Sequence, residues 1–169
     1  QRWAIRLAAE NGIHSGAALH QLARKASHPE VISQLASSAQ RLGDRHLIES
    51  LASRGEFSED SFIPLQIWWA MESLITNHPD RARELLSYAG FWDTPLFEKI
   101  LRERIGRRYM AERSPESLRM CAWLLEKAAG TKHLAAIIRG MEQALEGTSL
   151  DPVPPELDAA LASIWKSQH

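Results

Sequence analysis

The sequence predicts an all-α fold, an α-α superhelix of HEAT or armadillo type built from about ten short antiparallel helices. Apolar residues recur at spacings of three and four almost throughout the chain, and no segment alternates apolar and polar residues with a period of two. Helix start and stop signals also recur. Short helices joined by short polar turns cannot each bury an apolar face alone, so we expect them to stack in pairs. An irregular helical bundle is the alternative that the same pattern allows.

The start and stop signals define the predicted helices. Two segments have the form of a capping box, and a third places proline at the first helical position: Ser27-His28-Pro29-Glu30, Asn77-His78-Pro79-Asp80 and Ser114-Pro115-Glu116. Four glycines follow apolar stretches, where a left-handed residue ends a helix: Gly43, Gly90, Gly130 and Gly147. These signals predict helices over 2–10, 15–26, 29–42, 44–54, 62–76, 79–89, 94–111, 115–128, 131–146 and 154–167.

The segment from Phe62 to Ile75 differs from the other predicted helices because apolar side chains cover nearly all of its directions. We expect neighbouring helices to enclose it on most sides and to make it the centre of the core. Trp68, Trp69 and Glu72 are therefore predicted as structural core residues, with the Glu72 carboxylate partly buried.

Length and composition predict one domain over residues 1–169 and exclude several classes of protein. The chain has 20 Lys and Arg against 21 Asp and Glu, and this net charge of -1 argues against a dedicated nucleic-acid binder. The longest uncharged apolar stretch, 61–71, is far short of the roughly 18 residues that a membrane span needs, so no membrane insertion is expected. Because the chain begins at Gln1, we interpret it as a piece of a larger multidomain protein.

Motifs for catalysis, cofactors and metals are absent from the sequence. It contains no Walker loop, no G-x-G-x-x-G and no C-x-x-C-H, and none of its seven histidines forms an H-E-x-x-H pair. The single cysteine, Cys121, cannot by itself build a zinc or iron–sulfur site. We therefore predict no catalytic, cofactor-binding or metal-binding residue, and no cofactor, in this domain.

The charges are separated along the chain. Five basic residues give a net charge of +4 within ten positions, interrupted only by Glu103: Lys99, Arg102, Arg104, Arg107 and Arg108. The segment from Glu142 to Asp158 holds five acids and no Lys or Arg. Intramolecular pairing or a solvated face is one interpretation of the basic stretch. Docking to an acidic partner or to a neighbouring domain is the functional one.

Several segments resemble the HEAT-like helical region of large bacterial proteins. The segments are Arg2 to Leu7, Val31 to Leu42, Phe62 to Glu72 and Phe97 to Tyr109. The family is that of the PVC-type putative membrane-bound dehydrogenases, or haem-binding C-x-x-C-H proteins. Its members typically place a sugar-dehydrogenase-like β-propeller before this region and a cytochrome c domain after it, and they are exported.

The resemblance implies that this chain is a non-enzymatic spacer or docking array inside an extracytoplasmic, periplasmic redox protein. Neither the propeller nor the haem motif is present, so no catalytic or haem-ligating residue is carried over to these positions. Its expected partners are flanking domains of the same chain or another protein.

A different class of function remains as the alternative, a HEAT-like DNA-binding enzyme of the alkylpurine-DNA glycosylase kind. In such an enzyme the concave face of a solenoid grips a duplex, and tryptophan and a carboxylate act at the lesion. Trp68, Trp69, Glu72 and the arginines from Arg102 to Arg108 would take those roles.

Overall fold

All regular secondary structure in the described part of the chain is helical, so the prediction of an all-α fold is confirmed. The structure, a computed structural model, describes Trp3, Ile5 and residues 16–167. Its helices are α1 Gly16–Lys25, α2 Pro29–Leu42, α3 Arg45–Ala52, α4 Ile63–Asn77, α5 Pro79–Ser87, α6 Ala89–Trp92, α7 Arg102–Glu112, α8 Pro115–Ala128, α9 Leu134–Leu145 and α10 Pro155–Ser167. A 3-10 turn, Gly55–Phe57, and a π-helical segment, Phe97–Leu101, lie between them.

The helix boundaries match the prediction closely at α2 and α8 and differ in two places. The helix predicted over 94–111 begins as the π-helical segment and becomes α7 only at Arg102. The helix predicted over 79–89 ends at Ser87, and the separate α6 follows it. The helix predicted over 2–10 falls outside the described residues, apart from Trp3 and Ile5.

Glycine ends α2 as predicted. Gly43 has a φ of 57°, and its N–H donates to the Ala39 carbonyl. Gly130 and Gly147 also adopt the left-handed conformation, each with a φ of 72°. Gly90 does not end a helix, because it lies inside α6.

Side chains at the N-caps of α2 and α8 accept hydrogen bonds from free backbone N–H groups of the first turn. Ser114 caps α8 as expected, since its hydroxyl oxygen accepts from the Ser117 N–H at 3.1 Å. At α2 the cap is His28 and not Ser27, because the His28 Nδ1 atom accepts from the Glu30 N–H at 3.3 Å. The cap therefore lies one residue later than the capping box at Ser27 predicts.

Contacts divide the chain into two compact units, Gln1–Ile100 and Leu101–His169. In the first unit, helices that are alternate in sequence lie beside each other: α1 packs on α3, α2 on α4, and α3 on α5. α2 and α4 make the most extensive of these contacts. The core that they enclose is made of aliphatic side chains such as Ile32, Leu47, Ile67 and Leu74.

The turn after α2 is held by two residues beyond the end of α4, His78 and Arg81. The His78 ring lies so close to Gly43 that a Cβ atom on Gly43 would stand 2.3 Å from the ring carbon Cδ2. The Arg81 guanidinium donates to the Gly43 carbonyl at 3.1 Å. Gly43 is therefore required both by its positive φ and by the close approach of the histidine.

Arg54 fastens α1 to the segment that follows α3. Its guanidinium donates to the backbone carbonyls of Ala23 and, at 2.6 Å, of Ala26, at the end of α1. The same guanidinium pairs with Glu56 at 2.6 Å and lies over the Phe57 ring. The terminal carbonyls of α1, which have no partner within the helix, are thus satisfied by a side chain distant in sequence.

In the second unit, α7 packs on α9 and α8 on α10. The contact between α7 and α9 is the most extensive in that unit, and glycine lies on both sides of it. A Cβ atom on Gly140 would stand 1.9 Å from the Glu103 carbonyl oxygen, and one on Gly106 would stand 2.5 Å from the Ile137 carbonyl oxygen. The two backbones therefore contact each other directly at this point.

Polar contacts fix the direction and register of α7 against α9. Near their starts, Arg102 donates to the Lys132 carbonyl at 3.3 Å, and beyond their ends Arg113 donates to the Thr148 hydroxyl. Beside Gly140, the Glu103 carboxylate accepts from Gln143 at 2.8 Å. The start of α7 thus lies beside the start of α9, and the end of α7 lies beside the end of α9. The two helices therefore run in the same direction.

We expect Gly140→Ala to destabilise the second unit strongly. The added methyl group would overlap the Glu103 carbonyl oxygen, which belongs to the backbone and cannot rotate away, so α7 and α9 must separate. The expected loss in the free energy of unfolding is about 3 kcal/mol, as for overpacking of a tight core. Urea unfolding followed by circular dichroism measures it.

The matched control is Gly16→Ala in α1, where the nearest atom to the new Cβ is the His20 ring carbon Cε1 at 3.6 Å. This change should be neutral or slightly stabilising, because alanine favours the helix by up to about 1 kcal/mol over glycine. Equal effects of the two substitutions would show that the backbone contact at Gly140 does not hold the unit together.

Asp60 generates a prediction about pH. Its carboxylate accepts from the backbone N–H groups of Ile63 and Phe62 at the start of α4, and these bonds lower the pKa of Asp60. A lowered folded-state pKa stabilises the protein above the unfolded-state value of about 3.9. That contribution is lost as the pH falls through the lower folded-state pKa. Asp60→Ala should therefore lose about 1 kcal/mol at neutral pH, and its difference from the original chain should narrow in acid.

Urea unfolding at a series of pH values tests this expectation. Asp60→Asn keeps an acceptor oxygen at every pH, so it should lose less stability than Asp60→Ala at neutral pH. A difference between the original chain and Asp60→Ala that stays constant down to strongly acidic pH would contradict the assigned role.

Candidate functional site

The outer face of α7 carries three arginines, Arg104, Arg107 and Arg108, which we call the arginine stripe. The opposite face of α7 is buried and consists of Ile105, Gly106, Tyr109 and Met110. Positions spaced by three and four residues lie on one side of a helix, so the three arginines follow one another along the exposed side. Arg107 is exposed, and Arg104 and Arg108 are half-buried.

The three guanidinium groups differ in how they are engaged. Arg108 pairs with Glu112 one turn further along α7, at 2.8 Å. Arg104 also interacts with another group, so it is not without a partner. Among the described residues, none forms an ion pair or side-chain hydrogen bond with Arg107. The planar guanidinium can donate two parallel hydrogen bonds to a carboxylate or a phosphate, so Arg107 is available to bind an anion.

The structure does not bring all five predicted basic residues together on one surface, because Lys99 and Arg102 are engaged elsewhere. Lys99 pairs with Glu59 in the first unit. Arg102 turns toward the start of α9, where it donates to the Lys132 carbonyl and lies 3.5 Å from the Nδ1 atom of His133. The arginine stripe is the part of the predicted surface that the structure brings together on one helix face.

The predicted core at α4 holds for Trp68 but not for Trp69. Trp68 is 6% exposed, and Glu72 is half-buried as expected. Trp69 is 49% exposed, and Phe62, two turns earlier on the same side, is 73% exposed. α2, α3 and α5 pack on α4, and the direction shared by Phe62 and Trp69 points away from its buried face. The prediction that Trp69 lies in the core is therefore wrong.

The tryptophan positions also bear on the DNA-processing alternative. That hypothesis needs tryptophan side chains that can reach a displaced base. Burial keeps Trp68 from doing so, whereas Trp69 is 49% exposed. Trp92 is also buried, and its indole N–H donates to the Leu86 carbonyl at 2.8 Å. Trp68 and Trp92 serve packing in the first unit.

His20 and Asp44 join two helices of the first unit. Asp44 caps α3 by accepting from the N–H groups of His46 and Leu47, and its second carboxylate oxygen lies 2.9 Å from the Nε2 atom of His20 on α1. This contact links α1 to the start of α3. Among residues 16–167 with Trp3 and Ile5, no group of three or more His, Cys, Asp or Glu side chains is placed to hold a metal ion.

Sequence reasoning missed an exposed face on α10. Leu157, Ala160 and Ile164 are buried on one side of this helix. Leu161 and Trp165 are 42% and 70% exposed beside them. A helical wheel of the segment separates the two sets, because the buried residues are spaced by three and four and the exposed pair lies to one side of them.

No helix within the described ranges is long and apolar enough to cross a membrane.

We expect Cys121 to be unreactive while the protein is folded. Burial raises the pKa of its thiol to about 12, so almost none of it is the reactive thiolate at pH 8. An aromatic disulfide reagent should therefore label the folded chain far more slowly than the chain unfolded in guanidinium chloride. Equal labelling rates in the two states would contradict the burial of Cys121 in the second unit.

Comparison with known proteins supplies no relative. No protein family, no curated protein and no solved structure matches the chain. The resemblance to the helical region of the bacterial dehydrogenase and haem-binding proteins therefore stays a prediction.

Proposed function

We propose that the chain is a non-enzymatic helical-repeat scaffold that binds an acidic protein segment through the arginine stripe. The observation that carries this proposal is Arg107, an exposed arginine between two others on the outer face of α7. Arg107 pairs with no described residue, although the same unit holds five acids from Glu142 to Asp158.

The pairing of alternate helices supports a repeat architecture of the HEAT or armadillo type. In each unit, helices separated by one intervening helix pack side by side, and consecutive helices such as α4 and α5 or α7 and α8 also pack on each other, as in stacked helical pairs. α7 and α9 also run in the same direction, which is expected for equivalent helices of successive repeats. Such stacking leaves long exposed helix faces, on which repeat proteins bind their partners.

The proposed setting comes from the sequence resemblance. It implies an exported bacterial redox protein in which this domain positions a propeller and a cytochrome c domain, and in which the domain itself holds no cofactor. The acidic partner is then a flanking domain of the same chain or a separate protein. Binding of haem to the isolated chain in a one-to-one ratio would overturn this proposal.

A fluorescein-labelled glutamate-rich peptide is the probe for the proposed function. We expect it to bind the chain at low salt and to be released at high salt, because exposed ion pairs are screened. Arg107→Glu should weaken binding by about tenfold, since it replaces an attraction with a repulsion, and Arg107→Lys should weaken it less. Fluorescence anisotropy measures both effects.

The matched control is Arg24→Glu, which reverses an exposed arginine on α1 and should leave the affinity unchanged. Peptide binding that is absent at low salt, or that is insensitive to Arg107→Glu, would overturn the proposal. A labelled DNA duplex is measured in parallel. Tighter binding of the duplex than of the peptide, lost in Arg107→Glu, would favour the DNA-binding alternative instead.

A further inference from the structure

The exposed side of α10 combines a carboxylate with apolar surface. Asp158, Leu161 and Trp165 follow one another on this side at spacings of three and four residues, and we call them the acidic face. All three are exposed, and Trp165 is the most exposed tryptophan in the described part of the chain. The neighbouring Leu157, Ala160 and Ile164 are buried and fix the orientation of the helix.

The charge on the acidic face is not neutralised by any residue that the structure describes. None of the described residues forms an ion pair or side-chain hydrogen bond with Asp158, or with Glu156 in the same turn. The sequence from Glu142 to Asp158 supplies no Lys or Arg. Asp158 therefore presents a carboxylate to solvent beside the apolar surface of Leu161 and Trp165.

The acidic face and the arginine stripe are complementary in chemistry. A guanidinium group binds a carboxylate through two parallel hydrogen bonds, and it also stacks on the face of an indole ring. Along α10, Asp158 and Trp165 are about 10 Å apart, and along α7 the stripe extends about 6 Å. Long arginine side chains can span this difference, so one arginine can bind Asp158 while another stacks on Trp165.

We propose that the arginine stripe of one copy docks on the acidic face of a second copy of this chain. This inference rests on the proposed function and identifies the acidic partner. Both surfaces belong to the second unit, and neither Arg107 nor Asp158 has a partner among the residues described in its own chain. Each copy thus carries one surface of each kind. Two copies can contact each other reciprocally, and a one-way contact gives a ring if the rotation closes and an open chain if it does not.

Sedimentation velocity over a wide range of protein concentration tests the proposal. The chain should associate at low salt and dissociate at high salt, because salt screens the attraction between the exposed arginine and carboxylate groups. Arg107→Glu and Asp158→Lys should each weaken association by about tenfold or more, since each places like charges opposite one another. Trp165→Ala should weaken it about two- to fivefold through loss of the stacking contact.

An equimolar mixture of Arg107→Glu and Asp158→Lys is the decisive sample. The first variant keeps its acidic face, and the second keeps its arginine stripe, so the mixture should associate although neither variant does so alone. This recovery also shows that both variants are folded. Arg24→Glu, which reverses an exposed arginine outside the stripe, should associate like the original chain.

Three results would overturn the inference: a monomeric original chain at every concentration, association that neither charge reversal weakens, or a mixture that stays monomeric. The peptide titration separates these failures from failure of the proposed function. A monomeric chain that still binds the glutamate-rich peptide through Arg107 removes the second copy as the partner and leaves the arginine stripe as a binding surface. Insensitivity of peptide binding to Arg107→Glu removes both.

Discussion

The direct contact between the backbones of α7 and α9 is the constraint on which the second unit depends. Only glycine permits it, because any side chain at Gly106 or Gly140 would meet a carbonyl oxygen of the facing helix. The close approach also brings Glu103 within reach of Gln143 and Arg139, so the charged groups beside the contact are fixed by the packing. Glycine weakens a helix by about 1 kcal/mol relative to alanine, and the contact offsets that cost through dispersion between closely packed atoms.

The same contact determines what the arginine stripe can do. Because α7 lies flat on α9 through Gly106, its rotation about its own axis is fixed, and Ile105, Tyr109 and Met110 must point inward. The three arginines are then held outward on a rigid helix. A binding group on a rigid element loses less conformational entropy when it engages a partner than one on a mobile loop. The glycine contact inside the unit therefore determines where the arginines lie on its surface.

Sequence reasoning predicted the features of this protein that depend on near neighbours along the chain. Helix identity follows from apolar spacing, and the start of α8 follows from Ser114 and Pro115, because a cap uses residues within one turn. The solvent-exposed direction of Trp69 could not be predicted, since it depends on which sides of α4 are covered by α2, α3 and α5. Lys99 and Arg102 left the predicted basic surface for the same reason: their partners, Glu59 and Lys132, lie 40 and 30 residues away.

Arg54 makes the end of α1 and the turn around Phe57 dependent on each other. If α1 detached, a guanidinium with 13% exposure would lose its carbonyl partners, and if the turn opened, those carbonyls would lose their donor. Opening of either segment alone would therefore break the hydrogen bonds that Arg54 makes to the other. We expect the two, although separated by α2 and α3 along the chain, to unfold locally as one cooperative element, so that their amide protons exchange with solvent together.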